Sequence, residues 1–81
     1  MKILYFSAKW CKPCEAFKPI VQSLCPNVEV VDVEDNIEIA DAYHIKSVPA
    51  LAIVDDDGNV VRNLFGRVST EVLQNFLSIA N

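Results

Sequence analysis

At 81 residues, 52% of them hydrophobic and only two of them glycine, the chain is sized for one small packed core and its composition excludes disorder or low complexity. Its formal net charge of −4 excludes general binding to nucleic acid or to an anionic membrane, both of which need a basic face. The apolar start at residues 3–6 is too short for a membrane span or a signal-peptide core, so the expectation is a single domain over 1–81, monomeric, in a reducing cytoplasm.

Residues 2–7 (KILYFS) are rich in β-branched and aromatic side chains and predict a buried strand. Trp10 and Cys11 close the loop that follows. Over residues 12–24, apolar side chains recur at Ala16, Phe17, Ile20, Val21 and Leu24, a single helical stripe. Pro13 suits the first turn, where its missing N–H costs nothing, while Pro19 is expected to kink the helix further on. Pro26-Asn27 breaks the chain, and residues 28–33 alternate valines with Glu29 and Asp32 as a second strand. Asp35 is placed to cap a short helix over 36–43, with Glu38 completing a capping box and Ile37, Ala40 and Tyr43 along one side. Residues 50–54 predict a third strand, Asp55-Asp56-Asp57-Gly58 a turn, and residues 60–65 a fourth strand closing a hairpin. The aspartates read as a solvated turn rather than a cation site. After Gly66, Ser69 can cap a last helix that turns Val72, Leu73, Phe76, Leu77 and Ala80 to the core.

The resulting order, β-α-β-α-β-β-α, defines an α/β fold. The βαβ unit needs parallel strands and a right-handed crossover, and the hairpin is antiparallel. The expected architecture is a four-stranded mixed sheet with three helices on both faces.

The three cysteines cannot all pair within the chain, and two of them form Cys11-Lys12-Pro13-Cys14. A cysteine just before a helix meets unpaired N–H groups and the positive end of the helix dipole, and Lys12 adds a charge nearby. Both favour a thiolate at Cys11, the attacking form. Cys14, one turn on, is positioned to resolve the mixed disulfide that results. C-x-x-C alone is ambiguous. Zinc would need two further ligands, and only Cys25 and His44 remain as soft candidates, not arranged as a pair. The strand–loop–helix setting and the flanking tryptophan favour redox chemistry.

Trp10-Cys11-Lys12-Pro13-Cys14 resembles the active-site motif of thioredoxins, with lysine where the common form has glycine. Pro19 matches a proline of the corresponding thioredoxin helix, residues 43–50 (YHIKSVPA) resemble the stretch that ends in the family's cis-proline, and Gly58 and Gly66 match as well. The resemblance covers essentially the whole chain, without the family's first strand and first helix: a thioredoxin trimmed to a glutaredoxin-like core. It implies that Cys11 and Cys14 are catalytic. It further implies that Pro49 is cis against them, and that Trp10, Lys12, Pro13, Val48, Pro49 and Gly66 bind substrate, with the Val48 backbone pairing with an extended segment. No bound cofactor is implied; NADPH acts indirectly through a thioredoxin reductase, and the other partners are disulfide-containing proteins. The alternatives are a glutathione-dependent, glutaredoxin-like protein, whose paired glycines and tyrosine-containing motif are missing, and a redox fold serving as a binding subunit of a larger complex.

Two departures stand out. The family's buried aspartate, six residues before the first cysteine, is Tyr5 here, and its lysine partner maps onto Val30. Losing both together avoids a lone buried charge. It leaves deprotonation of Cys14 to water, Glu15 or the Tyr5 hydroxyl, and predicts slow or pH-dependent resolution. By the resemblance, Lys9, Lys12, Lys46 and Arg67 ring the dithiol while the acids cluster elsewhere, which predicts steering towards acidic partners. Cys25 reads as an inert, buried thiol, and His44 as the C-terminal cap of its helix.

Overall fold

A computed structural model describes residues 1–80 as seven elements in the expected order: β1 (Lys2–Ser7), α1 (Lys12–Leu24), β2 (Glu29–Asp32), α2 (Ile37–Ala42), β3 (Ala50–Val54), β4 (Val60–Phe65) and α3 (Thr70–Ser78). The sheet order is β2-β1-β3-β4. β1 runs parallel to β2, with Ser7 opposite Asp32, and antiparallel to β3; β3 and β4 form the antiparallel hairpin.

Because successive strand residues point to opposite faces, the two central strands supply two cores. Tyr5, Leu51 and Ile53 pack beneath α1 and α3 with Phe17, Val21, Leu73, Phe76 and Leu77. Leu4, Phe6, Ala50, Ala52 and Val54 pack on the other face with Val31 and Ala40 of α2. The ring of Tyr5 meets Phe17 at 6.1 Å between centroids, so β1 is tied to α1 one turn beyond Cys14.

Four local expectations are corrected. Val72 is exposed, since the α3 stripe runs 73, 76, 77, 80 and Val72 falls at its edge. Ala16 and Ile37 are exposed for the same reason, lying off the buried faces of α1 and α2. The strand over 28–33 is shorter than expected and leaves Val30 exposed. The Asp35–Glu38 capping box does not form. Asn36 takes the N-cap position without a side-chain cap bond, its Nδ2 donating instead to the Asp32 carbonyl at 3.0 Å. Ser69 caps α3 as expected, its hydroxyl accepting from Val72 N–H at 3.3 Å. Pro19 lies inside a helix that continues through it.

The end of α2 shows why His44 is there. His44 N–H donates to the Asp41 carbonyl and Ile45 N–H to Ala40, the paired bonds of a Schellman cap, and His44 sits at φ 61°. A side chain in that left-handed region is strained, and glycine is not. His44→Gly is therefore expected to stabilise the fold by about 1 kcal/mol, read as a higher urea midpoint. In the hairpin turn, Asp55 Oδ1 accepts from the N–H groups of Asp57 and Asn59, which commits that carboxylate to the turn.

Candidate active site

Cys11 is the N-cap of α1, in extended backbone, and its Sγ accepts from the Cys14 N–H at 3.2 Å. The sulfur thus occupies the place of a capping oxygen, at the unpaired donors and positive end of the helix. Pro13 stands in the first turn, where no N–H is needed. Cys11 and Cys14 are joined as a disulfide, with Cα atoms 5.3 Å apart, and are 3% and 2% exposed. They pack with Ala8, and Val33 and Val48 close over them.

The Val48–Pro49 bond is cis, and the Pro49 carbonyl accepts from Gly66 N–H at 2.8 Å. Gly66, at φ 86°, takes a conformation that side chains rarely adopt, and so ends β4 with its amide turned to Pro49. Beside the dithiol, Trp10, 68% exposed, and Val48 line a recess of about 150 Å³ with Val33, Ile45, Lys46 and Ser47. Lys12, Pro13, Pro49 and Gly66 do not line it. Reasoning from sequence missed Val33 and Ile45, which read only as a strand end and as part of a motif.

The charge around the site differs from expectation. Asp35 lies 3.9 Å from Lys9, and Glu15 lies 3.9 Å from Lys12, so acids stand among the basic residues rather than elsewhere. All four side chains are well exposed and each pair is worth little, but the pairing removes the all-basic rim.

Tyr5 is fully buried, and its hydroxyl donates to the Cys14 carbonyl at 2.8 Å. Burial disfavours the phenolate and pushes its pKa up to about 12. Tyr5 therefore holds the first turn of α1 and is no base for Cys14 near neutral pH. Unfolded tyrosine ionises near 10.0 and Tyr5 in the fold near 12, so the stability tied to this proton is present below pH 10 and lost as pH rises towards 12. That loss is about 2–3 kcal/mol. Tyr5→Phe should remove this alkaline decline, at a cost of about 1 kcal/mol at neutral pH for the missing hydrogen bond. Urea midpoints of both proteins across that range check it.

No cluster of three or more His, Cys, Asp or Glu side chains able to hold a metal occurs among the described residues, and none of their helices is long and apolar enough to cross a membrane. A C-x-x-C disulfide capping a helix, beside a cis-proline on a four-stranded α/β sheet, defines a thiol–disulfide oxidoreductase.

The thioredoxin family model matches residues 1–79. A thioredoxin of Chlamydia pneumoniae is 33% identical over 78 residues, covering 90% of this chain and 76% of that protein. Among solved structures, thioredoxin 1 of Thermosipho africanus superposes with a TM-score of 0.77 at 28% identity, covering 99% of this chain and 98% of its own. A mutant thioredoxin from Halobacterium salinarum gives 0.79 at 28% identity, covering 96% of this chain and 72% of its own. The chain belongs to the thioredoxin family, as a short thioredoxin-like protein and a protein-disulfide oxidoreductase.

Proposed function

We propose that the protein reduces disulfides of other proteins in the cytoplasm, as a monomer, with Cys11 as nucleophile and Cys14 as resolving residue. The observation that carries this reading is the place of the two sulfurs. Cys11 sits at the helix N-cap, where an anion is favoured, and Cys14 sits one turn inside. The Cys11 thiolate attacks the substrate disulfide, forming a mixed disulfide and releasing one substrate thiol. Cys14 then attacks Cys11 Sγ, forming the intramolecular disulfide and releasing the second.

Trp10 and Val48 offer apolar contact for the segment around the substrate cysteine, with Val33 and Ile45 completing the recess. The Val48 backbone, just before β3, serves an extended substrate as a strand partner. Lys12 and Pro13 follow the nucleophile in the chain, and Pro49 and Gly66, joined by the Gly66 N–H to Pro49 carbonyl bond, bind the substrate segment with Val48. Re-reduction needs two electrons, supplied by a thioredoxin reductase that draws on NADPH; no cofactor is bound by this chain. Insulin reduction driven by NADPH and a bacterial thioredoxin reductase, compared with glutathione and glutathione reductase, tests the reading. Activity with the first pair is expected. Activity only with the second assigns the protein to glutaredoxin-like chemistry.

A further inference from the structure

Cys14 must lose a proton to resolve the mixed disulfide, and its surroundings leave few groups to take it. Its sulfur-bearing side chain is 2% exposed, and Tyr5 beneath it donates to its carbonyl rather than accepting from its thiol. Yet Cys14 also forms part of the wall of a second cleft, of about 250 Å³, which shares no lining residue with the Trp10 recess. That volume holds several waters.

The charged groups of this cleft are Lys9 from the loop after β1, Glu15 and Lys18 from α1, and Asp32 from β2. Lys9 is engaged with Asp35, and Glu15 with Lys12. Among the described residues, Asp32 and Lys18 form no ion pair. Asp32 is half-buried and held in place: Oδ1 accepts from Glu34 N–H at 2.8 Å, its carbonyl accepts from Asn36, and its backbone pairs with Ser7 of β1. Among the described residues, Oδ2 carries no such bond. Lys18 lies one turn beyond Cys14 on the same helix face.

We propose that Asp32 receives the Cys14 proton through water in this cleft, with Lys18 supplying the positive charge that favours the thiolate. The inference rests on the dithiol reading above. As Cys14 Sγ attacks Cys11 Sγ, its proton passes through water to the Asp32 carboxylate and the Cys11–Cys14 bond forms. The bond from Cys11 to substrate breaks, and its electron pair leaves on the substrate sulfur, which takes a proton from solvent. Asp32 then returns its proton to solvent. Asp32 acts through water and is a positioning residue, not one that touches the reacting sulfurs.

Stopped-flow reaction of the reduced protein, in a Cys25→Ser background, with the chromogenic disulfide dithiobis-nitrobenzoate separates two releases of coloured thiolate. The first reports attack by Cys11 and the second resolution by Cys14. From about pH 5 to 9, Asp32→Asn, which keeps the Oδ1 acceptor for Glu34, should lower the ratio of second to first rate constants by about tenfold and move its midpoint to higher pH. Asp32→Glu should restore most of the ratio. A purely electrostatic role predicts the opposite, because removing a negative charge near Cys14 eases its ionisation and speeds the second phase. An unchanged or raised ratio in Asp32→Asn, or a loss found in Glu15→Gln instead, overturns the proposal. Absence of both phases in the wild-type pair overturns the dithiol reading itself.

Discussion

Replacing Cys14 with serine is expected to stop turnover at the mixed disulfide, whereas replacing Cys11 stops it before any substrate is captured. Both variants should lose insulin-reducing activity by at least about a thousandfold, since nucleophile and resolving group act as a unit. They differ in what accumulates. Cys14→Ser retains the helix N-cap sulfur and should be recovered covalently bound to substrate through Cys11; Cys11→Ser should not. Exposure does not separate the two residues, at 3% and 2%, so the assignment rests on position. Cys11 Sγ takes the capping N–H, while Cys14 stands one turn inside the helix and lines the 250 Å³ cleft. Intact-mass analysis under non-reducing conditions reads the adducts. Capture by Cys11→Ser alone would reverse the roles.

Phe17→Ala is the substitution expected to damage the fold most per atom removed. Phe17 is fully buried in the core beneath α1 and α3, against Tyr5. Truncating such a side chain costs about 3–5 kcal/mol, from lost burial and the cavity left behind. For a domain this small, total stability is on the order of 5–15 kcal/mol, so the change removes a large share of it. The melting temperature should fall by roughly 15–30 °C, with a matching drop in urea midpoint. The site should suffer with the core, because the side chain that Phe17 packs on also holds the Cys14 carbonyl. A cost below about 1 kcal/mol would mean that the site collapses to fill the space, and would refute this packing account.

Much of the fold was legible because its signals are local. The stripe Phe17, Ile20, Val21, Leu24, the turn at Gly58 and the cap at Ser69 each declare themselves within a few residues. The failures were local as well, wherever tertiary contacts outweighed a pattern. Asp35 and Glu38 have the spacing of a capping box, but Asn36 takes the cap position and Asp35 faces Lys9 across the loops. Ile37 and Val72 fit a helical stripe on paper, yet the sheet reaches only the narrower face of each helix. His44 was readable as a cap because its helix ends there, although its left-handed backbone could only be seen in the fold.

Residue order alone carries the dithiol, the helix that Cys11 caps, the β-α-β-α-β-β-α order and the family, because each depends on spacing along the chain. What surrounds Cys14 could not be read that way. Tyr5 looked able to serve as a base until its hydroxyl was seen to point at a carbonyl and its burial to suppress ionisation. Lys9, Glu15, Lys18 and Asp32 lie on three separate segments, and only strand pairing and helix packing gather them with Cys14 around one cleft. Charge and proton transfer depend on distances through space, and those distances exist only once the chain has folded.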